Sequence, residues 1–159
     1  MMEILLVENN PGDIRLLREV LKDGHVQTHL NVVTDGSEVF DFLRHEGPYK
    51  DAARPDLVLL DLNLPKRGGH EVLAEMKADP HFRNIPVVVL TSSIAEQDVK
   101  KSYELHANCH LRKPMDWDEY LQLARMLEEF WFNLAILPSR AQKVLQRNSH
   151  FLSPASSNN

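Results

Sequence analysis

The chain has 159 residues, of which 43% are hydrophobic, and a net charge of −5 from 18 basic and 23 acidic side chains. This length suits one domain with a substantial core. The acidic balance gives no general reason to expect a nucleic-acid partner, because surfaces that bind phosphate backbones need clustered lysine and arginine.

The features of secreted and membrane proteins are also missing from the sequence. Cys109 is the only cysteine, so no internal disulfide can form and a reducing compartment is favoured. No apolar run approaches the roughly 18–20 residues of a membrane-spanning helix, and the first residues lack the order of a signal peptide. We expect a cytoplasmic protein with neither nucleic-acid nor membrane partners.

The first part of the chain alternates short apolar runs with helical patterns. Residues 3–8 predict a strand that is buried on both faces, because its apolar residues do not alternate with polar ones. Residues 11–24 predict a helix, in which a proline suits the first turn and a glycine ends the pattern. Residues 29–34 then predict a strand and residues 37–45 a helix.

After a polar loop the alternation continues. Three strands alternate with three helices, predicted for residues 56–61, 70–79, 86–91, 96–106, 108–112 and 115–136. Five strands alternating with five helices predict an α/β fold, a doubly wound five-stranded parallel sheet with helices on both faces. The alternation does not fix the strand order. In folds of this kind, ligands bind beside the carboxyl ends of the strands.

Polar side chains stand at or just after these strand ends. Glu8 and Asn9 follow the first strand, Asp61 ends the third, Thr91 ends the fourth, and Lys113 follows the fifth. Because parallel strands share this edge, we expect the five side chains to converge in one crevice.

The expected cluster suits phosphoryl transfer. A carboxylate can attack a phosphoryl group and form an acyl phosphate, which is the role predicted for Asp61. Lys113 and Thr91 would then hold the phosphoryl oxygens. Carboxylate oxygens suit Mg²⁺, which we expect between Glu8 and Asp61.

Four stretches, ILLVENN, LVLLDLNLP, VVVLTSS and HLRKP, resemble in identity and order the receiver domain of two-component response regulators. The resemblance covers about residues 3–135 and implies a flavodoxin-like sheet with the strand order 2-1-3-4-5. It also implies that a sensor histidine kinase phosphorylates Asp61 and that Asn63 gives its backbone carbonyl to Mg²⁺. Thr91 would swing in to bond the phosphate, and Lys113 would pair with it through a cis peptide bond to Pro114.

Two positions depart from the family pattern. Receivers usually carry two acids after the first strand, whereas Glu8 is followed here by Asn9. Asparagine brings no charge, so we expect weaker Mg²⁺ binding, unless Asp13 reaches the site and compensates. His110 stands where the family usually has an aromatic switch residue, and its ring is polar.

Within receivers, the chain is similar to the single-domain regulators of cyanobacterial phytochromes. The stretches that carry this likeness are LLDLNLP, IPVVVLTSS with SYELHANC, EEFWFNLAILP and GPYKDAARPDL. The likeness implies a light-sensing phytochrome kinase as phosphodonor and a homodimer built partly on the last helix.

The last predicted helix carries a wide apolar face, which covers close to half of its circumference on a helical wheel. A helix packed deeper into its own domain would explain this width. We favour a dimer surface, formed by Leu123, Met126, Phe130, Trp131, Phe132 and Leu137.

We expect residues 1–137 to form the receiver domain and residues 138–159 to form a tail, helical over 140–147 and disordered over about the last ten residues. We therefore expect a single-domain regulator without its own output domain.

Two alternatives stay open. One is a phosphatase or phosphotransferase of the haloacid-dehalogenase type, whose second aspartate is replaced here by Asn63. The other is a pseudo-receiver that binds partners without phosphorylation, favoured only by Asn9.

Overall fold

The computed structural model describes residues 1–141 of the chain. Five strands, β1 to β5, span Met2–Val7, Thr28–Val33, Leu57–Leu60, Val87–Thr91 and Cys109–Arg112. Five α-helices, α1 to α5, span Pro11–Lys22, Glu38–Leu43, Gly69–Ala78, Glu96–Glu104 and Trp117–Met126. Each predicted strand and helix is present. The expectations for residues 142–159, including most of the helix at 140–147, lie outside the described residues.

The strands form one parallel sheet in the order β2-β1-β3-β4-β5, which is the order implied by the family resemblance. Strand β1, which lies between β2 and β3, aligns Val7 with Val33 of β2 and with Leu60 of β3. The next backbone amides continue this pairing, because Asp61 N donates to Val7 O at 3.0 Å and Glu8 N donates to Val33 O at 3.1 Å. The register therefore places Glu8 and Asp61 side by side at the carboxyl edge.

Helices cover both faces of the sheet. Alternate residues of each central strand point to opposite sides, as the pleat requires. One face packs on α2 and α3, with a core that includes Leu5, Leu60, Val89, Phe40 and Leu73. The other face packs on α1 and α5, with a core that includes Ile4, Leu59, Val88, Leu17 and Leu127. Residues 1–141 contain no helix that is long and apolar enough to cross a membrane.

The last helix is not the single α-helix predicted for residues 115–136. It is α-helical to Met126 and continues as a π-helix over Leu127–Leu134. The amide of Ala135 closes this segment by donating to the carbonyl of Phe130, five residues earlier, at 2.7 Å. A π-helix accommodates more residues in each turn than an α-helix. Side chains beyond Leu127 therefore point in directions that an α-helical wheel does not predict.

The segment after this helix returns to the amino edge of the sheet. Leu137 is buried, and Ser139 and Arg140 bond to the buried carboxylate of Asp56, which lies just before β3. Arg140 approaches both carboxylate oxygens, with its Nε at 3.3 Å and a terminal nitrogen at 2.8 Å. The backbone amide of Glu3 donates to the same carboxylate at 2.8 Å. The start of the expected tail is thus tied to the domain.

We predict that Arg140→Ala lowers the free energy of unfolding by about 1–3 kcal/mol at neutral pH, because a buried carboxylate loses its cation. Burial alone would raise the pKa of Asp56, but the bonds from Arg140, Ser139 and the Glu3 amide bring it below its ordinary value of 3.8. The stabilisation is therefore present above pH 3.8 and is lost as the pH falls through the depressed pKa.

Urea unfolding at several pH values measures this difference. Arg125→Ala, at an exposed arginine of α5 that has no ion pair within the described residues, is the matched control. Equal destabilisation by the two substitutions, or a difference that does not shrink in acid, would contradict the assignment.

Candidate functional site

Lys113 joins three carboxylates at the carboxyl edge of the sheet. Its Nζ lies 2.8 Å from Glu8, 2.9 Å from Asp13 and 3.1 Å from Asp61. The side chains of Glu8 and Asp61 are each only 4% exposed, and that of Lys113 is 13% exposed. The structure therefore brings together three of the predicted residues and adds Asp13, which the sequence suggested only as a compensating acid.

The loop between β1 and α1 shapes one side of the site. Glu8 Oε1 accepts hydrogen bonds from the amides of Asn9 and Asn10, both at 3.0 Å, which leaves Oε2 for Lys113. Asn10 caps α1 by accepting from the Asp13 amide at 3.0 Å. The cap places Asp13 in the first helical turn, where its carboxylate can reach Lys113.

Tyr120 of α5 supports the same carboxylate from the opposite side. Its hydroxyl donates to Asp13 Oδ1 at 3.1 Å, while Asp13 Oδ2 accepts from Lys113. Burial and the nearby Asp13 charge raise the pKa of Tyr120, so this hydroxyl keeps its proton at neutral pH. Tyr120 is not among the residues predicted for the site, because a core tyrosine whose hydroxyl reaches a site has no local sequence signal.

A tight backbone approach holds Asp61 in place. Asp61 Oδ1 accepts from the Asn63 amide at 3.3 Å, and Oδ2 accepts from Lys113. The first residue of α3, Gly69, packs against this turn, and a Cβ there would lie 2.3 Å from the Asp61 carbonyl oxygen. Only glycine allows this contact, so α3 fixes the backbone that presents Asp61.

A cavity of about 380 Å³ opens beside this cluster, and it is lined by Glu8, Asn9, Asn10, Pro11, Asp61, Asn63, Ser92 and Lys113. Thr91 does not line it. The Thr91 side chain is fully buried, and its hydroxyl oxygen accepts from the Ser93 amide at 3.4 Å. The structure thus places Ser92, and not Thr91, among the residues that line the cavity.

Burial and the neighbouring charges shift the pKa values of Glu8 and Lys113. Burial and the adjacent Asp61 charge raise the pKa of Glu8, against the opposing effects of Lys113 and the Asn10 amide. Burial alone would lower the pKa of Lys113, but its bonds to Glu8 and Asp13 raise it above its ordinary value. Lys113 therefore stays charged and offsets part of the negative charge around it.

The donor set fits a hard divalent cation. The cavity offers carboxylate oxygens of Glu8 and Asp61, the amide oxygen of Asn9 and the backbone carbonyl of Asn63, and Mg²⁺ favours such oxygen ligands. No cluster of three or more His, Cys, Asp or Glu among residues 1–141 forms a ready metal cage. Lys113 bonds to the carboxylates of Glu8 and Asp61, so a bound cation would share these two carboxylates with Lys113.

The peptide bond between Lys113 and Pro114 is trans, like every other in the described part of the chain, so the implied cis bond is wrong. Lys113 nevertheless reaches Asp61, because its amide donates to the Thr91 carbonyl at 2.8 Å and extends the pairing of β5 with β4. His110 lies apart from the cavity, with its ring bonded to Ser93 and Ser102.

The expected dimer surface is only partly accessible. Leu123 and Leu137 are buried within the chain, while Met126, Trp131 and Phe132 are partly buried against it. Of the six predicted residues, Phe130 is the one that is largely exposed, at 49%. Two apolar side chains nearby in the sequence and outside the predicted set are also exposed, namely Leu134 at 76% and Ile136 at 64%.

Comparison with known proteins agrees with this geometry. Residues 4–125 match the response regulator receiver domain. Response regulator Rcp1 of Synechocystis sp. is 46% identical over 136 residues, which are 86% of this chain and 92% of Rcp1. The probable methanogenesis regulatory protein FilR2 of Methanothrix harundinacea is 37% identical over 129 residues, 80% of this chain and 82% of FilR2.

Two solved structures give the same result. The crystal structure of the phosphorylated cyanobacterial phytochrome response regulator RcpA aligns with a TM-score of 0.82 and 50% identity, covering 86% of this chain and 98% of that one. The Mn²⁺-bound form of response regulator Rcp1 aligns with a TM-score of 0.81 and 46% identity, covering 87% of this chain and 99% of that one. The chain therefore belongs to the response regulator receiver domain family and is related to the phytochrome response regulators.

Proposed function

We propose that this protein accepts a phosphoryl group on Asp61 and thereby switches a surface that another protein or a second copy recognises. The contact between Lys113 Nζ and Asp61 Oδ2, at 3.1 Å beside an open cavity, carries the proposal. It places a fixed positive charge next to the carboxylate that would receive a group carrying spread negative charge.

The chemistry is a direct transfer between two side chains. The N–P bond of a phosphohistidine on the donor kinase breaks as an Asp61 carboxylate oxygen forms an O–P bond, and the histidine nitrogen regains its lone pair. Lys113 balances the charge on the arriving oxygens. Ser92 lines the cavity and offers a further hydroxyl, while Thr91 is buried and does not line it, so Thr91 would have to move before its hydroxyl could donate to the phosphoryl group.

Mg²⁺ is the proposed cofactor, held by Glu8, Asn9, Asp61 and the Asn63 carbonyl. When bound, it would neutralise charge on the transferring group. The Mn²⁺-bound form of Rcp1 supports a divalent cation in a related protein. Asp13 bonds to Lys113 and Tyr120 and is not among the residues that line the cavity, so we do not include it among the proposed ligands.

The proposed phosphodonor is a sensor histidine kinase of the phytochrome type. The support is the similarity to RcpA, which is itself a phytochrome response regulator, and to Rcp1. This role would place the protein in the cytoplasm, as its composition suggests.

We also propose a homodimer formed through the outward patch of Phe130, Leu134 and Ile136. Three large apolar side chains exposed at 49%, 76% and 64% lie on one short segment. Trp131 stacks edge-on against Phe130, with ring centroids 5.1 Å apart, and makes the base of the patch rigid. Its apolar character suits a second copy of the same segment.

Incubation with acetyl phosphate and Mg²⁺ tests the phosphoacceptor. We expect mass spectrometry to find one phosphoryl group on Asp61, no adduct in Asp61→Asn, and slower labelling in Lys113→Ala, which removes the cation that faces the phosphoryl oxygens. Asp51→Asn, at an exposed aspartate in the loop before β3, is the control and should label normally.

Other outcomes would identify the alternatives. Continuous hydrolysis of free phosphate monoesters without a stable adduct would indicate a phosphatase of the haloacid-dehalogenase type. Neither an adduct nor turnover, in a folded protein that contains Mg²⁺, would indicate a pseudo-receiver.

Restoring a charge at position 9 should strengthen Mg²⁺ binding. We expect Asn9→Asp to lower the dissociation constant roughly fivefold, since a nearby charge in a solvated site contributes about 1 kcal/mol. Calorimetric titration measures both proteins, and Asn84→Asp adds the same charge at the opposite edge of the sheet as a control. Equal affinities in the wild type and Asn9→Asp would refute a direct role for position 9.

Placing a charge in the apolar patch should dissociate the dimer. We expect sedimentation equilibrium to give a dimer mass for the wild type and a monomer mass for Leu134→Glu. Ile94→Glu changes another exposed apolar residue, in the loop after β4, and should remain dimeric. A monomeric wild type, or a dimeric Leu134→Glu, would rule out this surface.

A further inference from the structure

The loop between β3 and α3 carries two groups of the proposed site. It begins at Asp61, and the backbone carbonyl of Asn63 is one of the proposed ligands of the cation. The amide of Gly69, at the start of α3, donates to the carbonyl of Leu62 at 3.0 Å and closes the base of the loop. The position of the Asn63 carbonyl therefore depends on how the rest of the loop is held.

The tip of this loop is a tight turn. The amide of Arg67 donates to the carbonyl of Pro65, only two residues earlier, at 2.8 Å. Lys66 lies between them with a φ of 63°, in the left-handed region that residues other than glycine seldom adopt. Such a conformation costs free energy and persists only where neighbouring groups hold it. The groups that hold this turn come from the β2–α2 connection and from α2.

The connection between β2 and α2 packs directly on the turn. A Cβ at Gly36 would lie 2.8 Å from the Arg67 Cβ and closer still to the Arg67 carbonyl oxygen, so only glycine allows this contact. One oxygen of the buried Asp35 carboxylate accepts from two backbone amides at the start of α2, and the other lies 3.5 Å from Lys66 Nζ. The turn and the start of α2 are thus held together.

The side chain of Arg67 extends this contact to α2 and α3. Its guanidinium lies over the ring of Phe40 in α2, 5.3 Å from the ring centroid, and Phe40 is only 3% exposed. Arg44 lies over the same ring at 5.2 Å. Arg67 and Arg44 both pair with the carboxylate of Glu75 in α3. A guanidinium that contacts an aromatic ring and a carboxylate together has little freedom to move, so both the backbone and the side chain of Arg67 are fixed.

We propose that Gly36 and Arg67 are positioning residues, which hold the β3–α3 loop and thereby keep the Asn63 carbonyl in place as a ligand. We name Gly36, Phe40 and Arg67 the brace. This inference rests on the proposed function, because only a site that binds a divalent cation uses that carbonyl. None of the three residues lines the cavity, so the brace acts through the loop and not by contact with the cation.

The charge of Arg67 makes the brace distinguishable from an electrostatic effect. Removing a positive charge near the site would, by Coulomb attraction alone, strengthen the binding of a cation. Displacing a ligand carbonyl would weaken it, because Mg²⁺ demands near-ideal geometry of its oxygen ligands. The two effects have opposite signs. Weaker Mg²⁺ binding in a variant that lacks this charge therefore reports the loss of positioning.

Calorimetric titration of the full chain with Mg²⁺ tests the brace. We expect Gly36→Ala to raise the dissociation constant roughly 3- to 10-fold, the effect of weakening about one polar contact. Arg67→Gln should raise it roughly twofold or more, although it removes a positive charge. Arg83→Gln removes the same charge at an exposed arginine in the loop before β4 and should bind Mg²⁺ as the wild type does. Arg140→Ala, which destabilises the opposite edge of the sheet, shows whether lower stability alone weakens binding.

Hydrogen exchange without Mg²⁺ measures the loop directly. The amides of Asn63 and Gly69 are both hydrogen-bonded within the loop. They should exchange faster in Gly36→Ala and Arg67→Gln than in the wild type, because a loop that has lost its support opens more often. In Arg83→Gln they should keep the wild-type rates. If Gly36→Ala does not fold, Arg67→Gln decides the question alone.

The outcomes separate the brace from the proposed function. If the wild type binds Mg²⁺ and the brace variants bind it equally well or more tightly, the brace is wrong and the proposed cofactor stands. Unchanged exchange of the two loop amides, or an equal loss of affinity in Arg140→Ala, would also overturn the brace. A wild type that binds no Mg²⁺ would overturn the proposed cofactor and the brace together.

Discussion

The ammonium group of Lys113 is the interaction on which the carboxyl edge of this sheet depends. Glu8 and Asp61 emerge from adjacent strands with almost no access to water, and Asp13 adds a third negative charge. Without a cation, such a group of carboxylates would repel one another or take up protons. Lys113 offsets part of this repulsion by bonding to all three carboxylates. In the proposed function, these ordered side chains would receive a divalent cation and a phosphoryl group.

Most of the fold could be predicted from local patterns. The runs EILLV and LVLLD are apolar on both faces, which only a covered parallel strand requires, and their alternation with helical patterns determines the class. The strand order came from a family resemblance, because the alternation of strands and helices does not determine which strands lie beside β1. The convergence of Glu8, Asp61 and Lys113 followed from their places at strand ends, because parallel strands share one edge.

The remaining parts depend on side-chain directions that sequence spacing does not contain. Thr91 ends β4 as predicted, yet its hydroxyl turns to the Ser93 amide and leaves Ser92 at the cavity. His110 was predicted as a switch residue by position alone, while its partners Ser93 and Ser102 are individually ordinary. A helical wheel assumes 100° per residue. It therefore mispredicted which side chains of the last helix face outward, because the helix becomes a π-helix at Leu127.

The π-helical segment of the last helix bears on how this surface can change. A π-helical segment is how a helix absorbs additional residues without breaking. One residue more or fewer in this region would rotate the side chains that follow by about 100° around the helix axis. Such a change would redirect the apolar side chains of the segment while the carboxyl edge, built on β1, β3 and β5, stayed in place. New partner specificity can arise in this way without any substitution at the chemistry it serves.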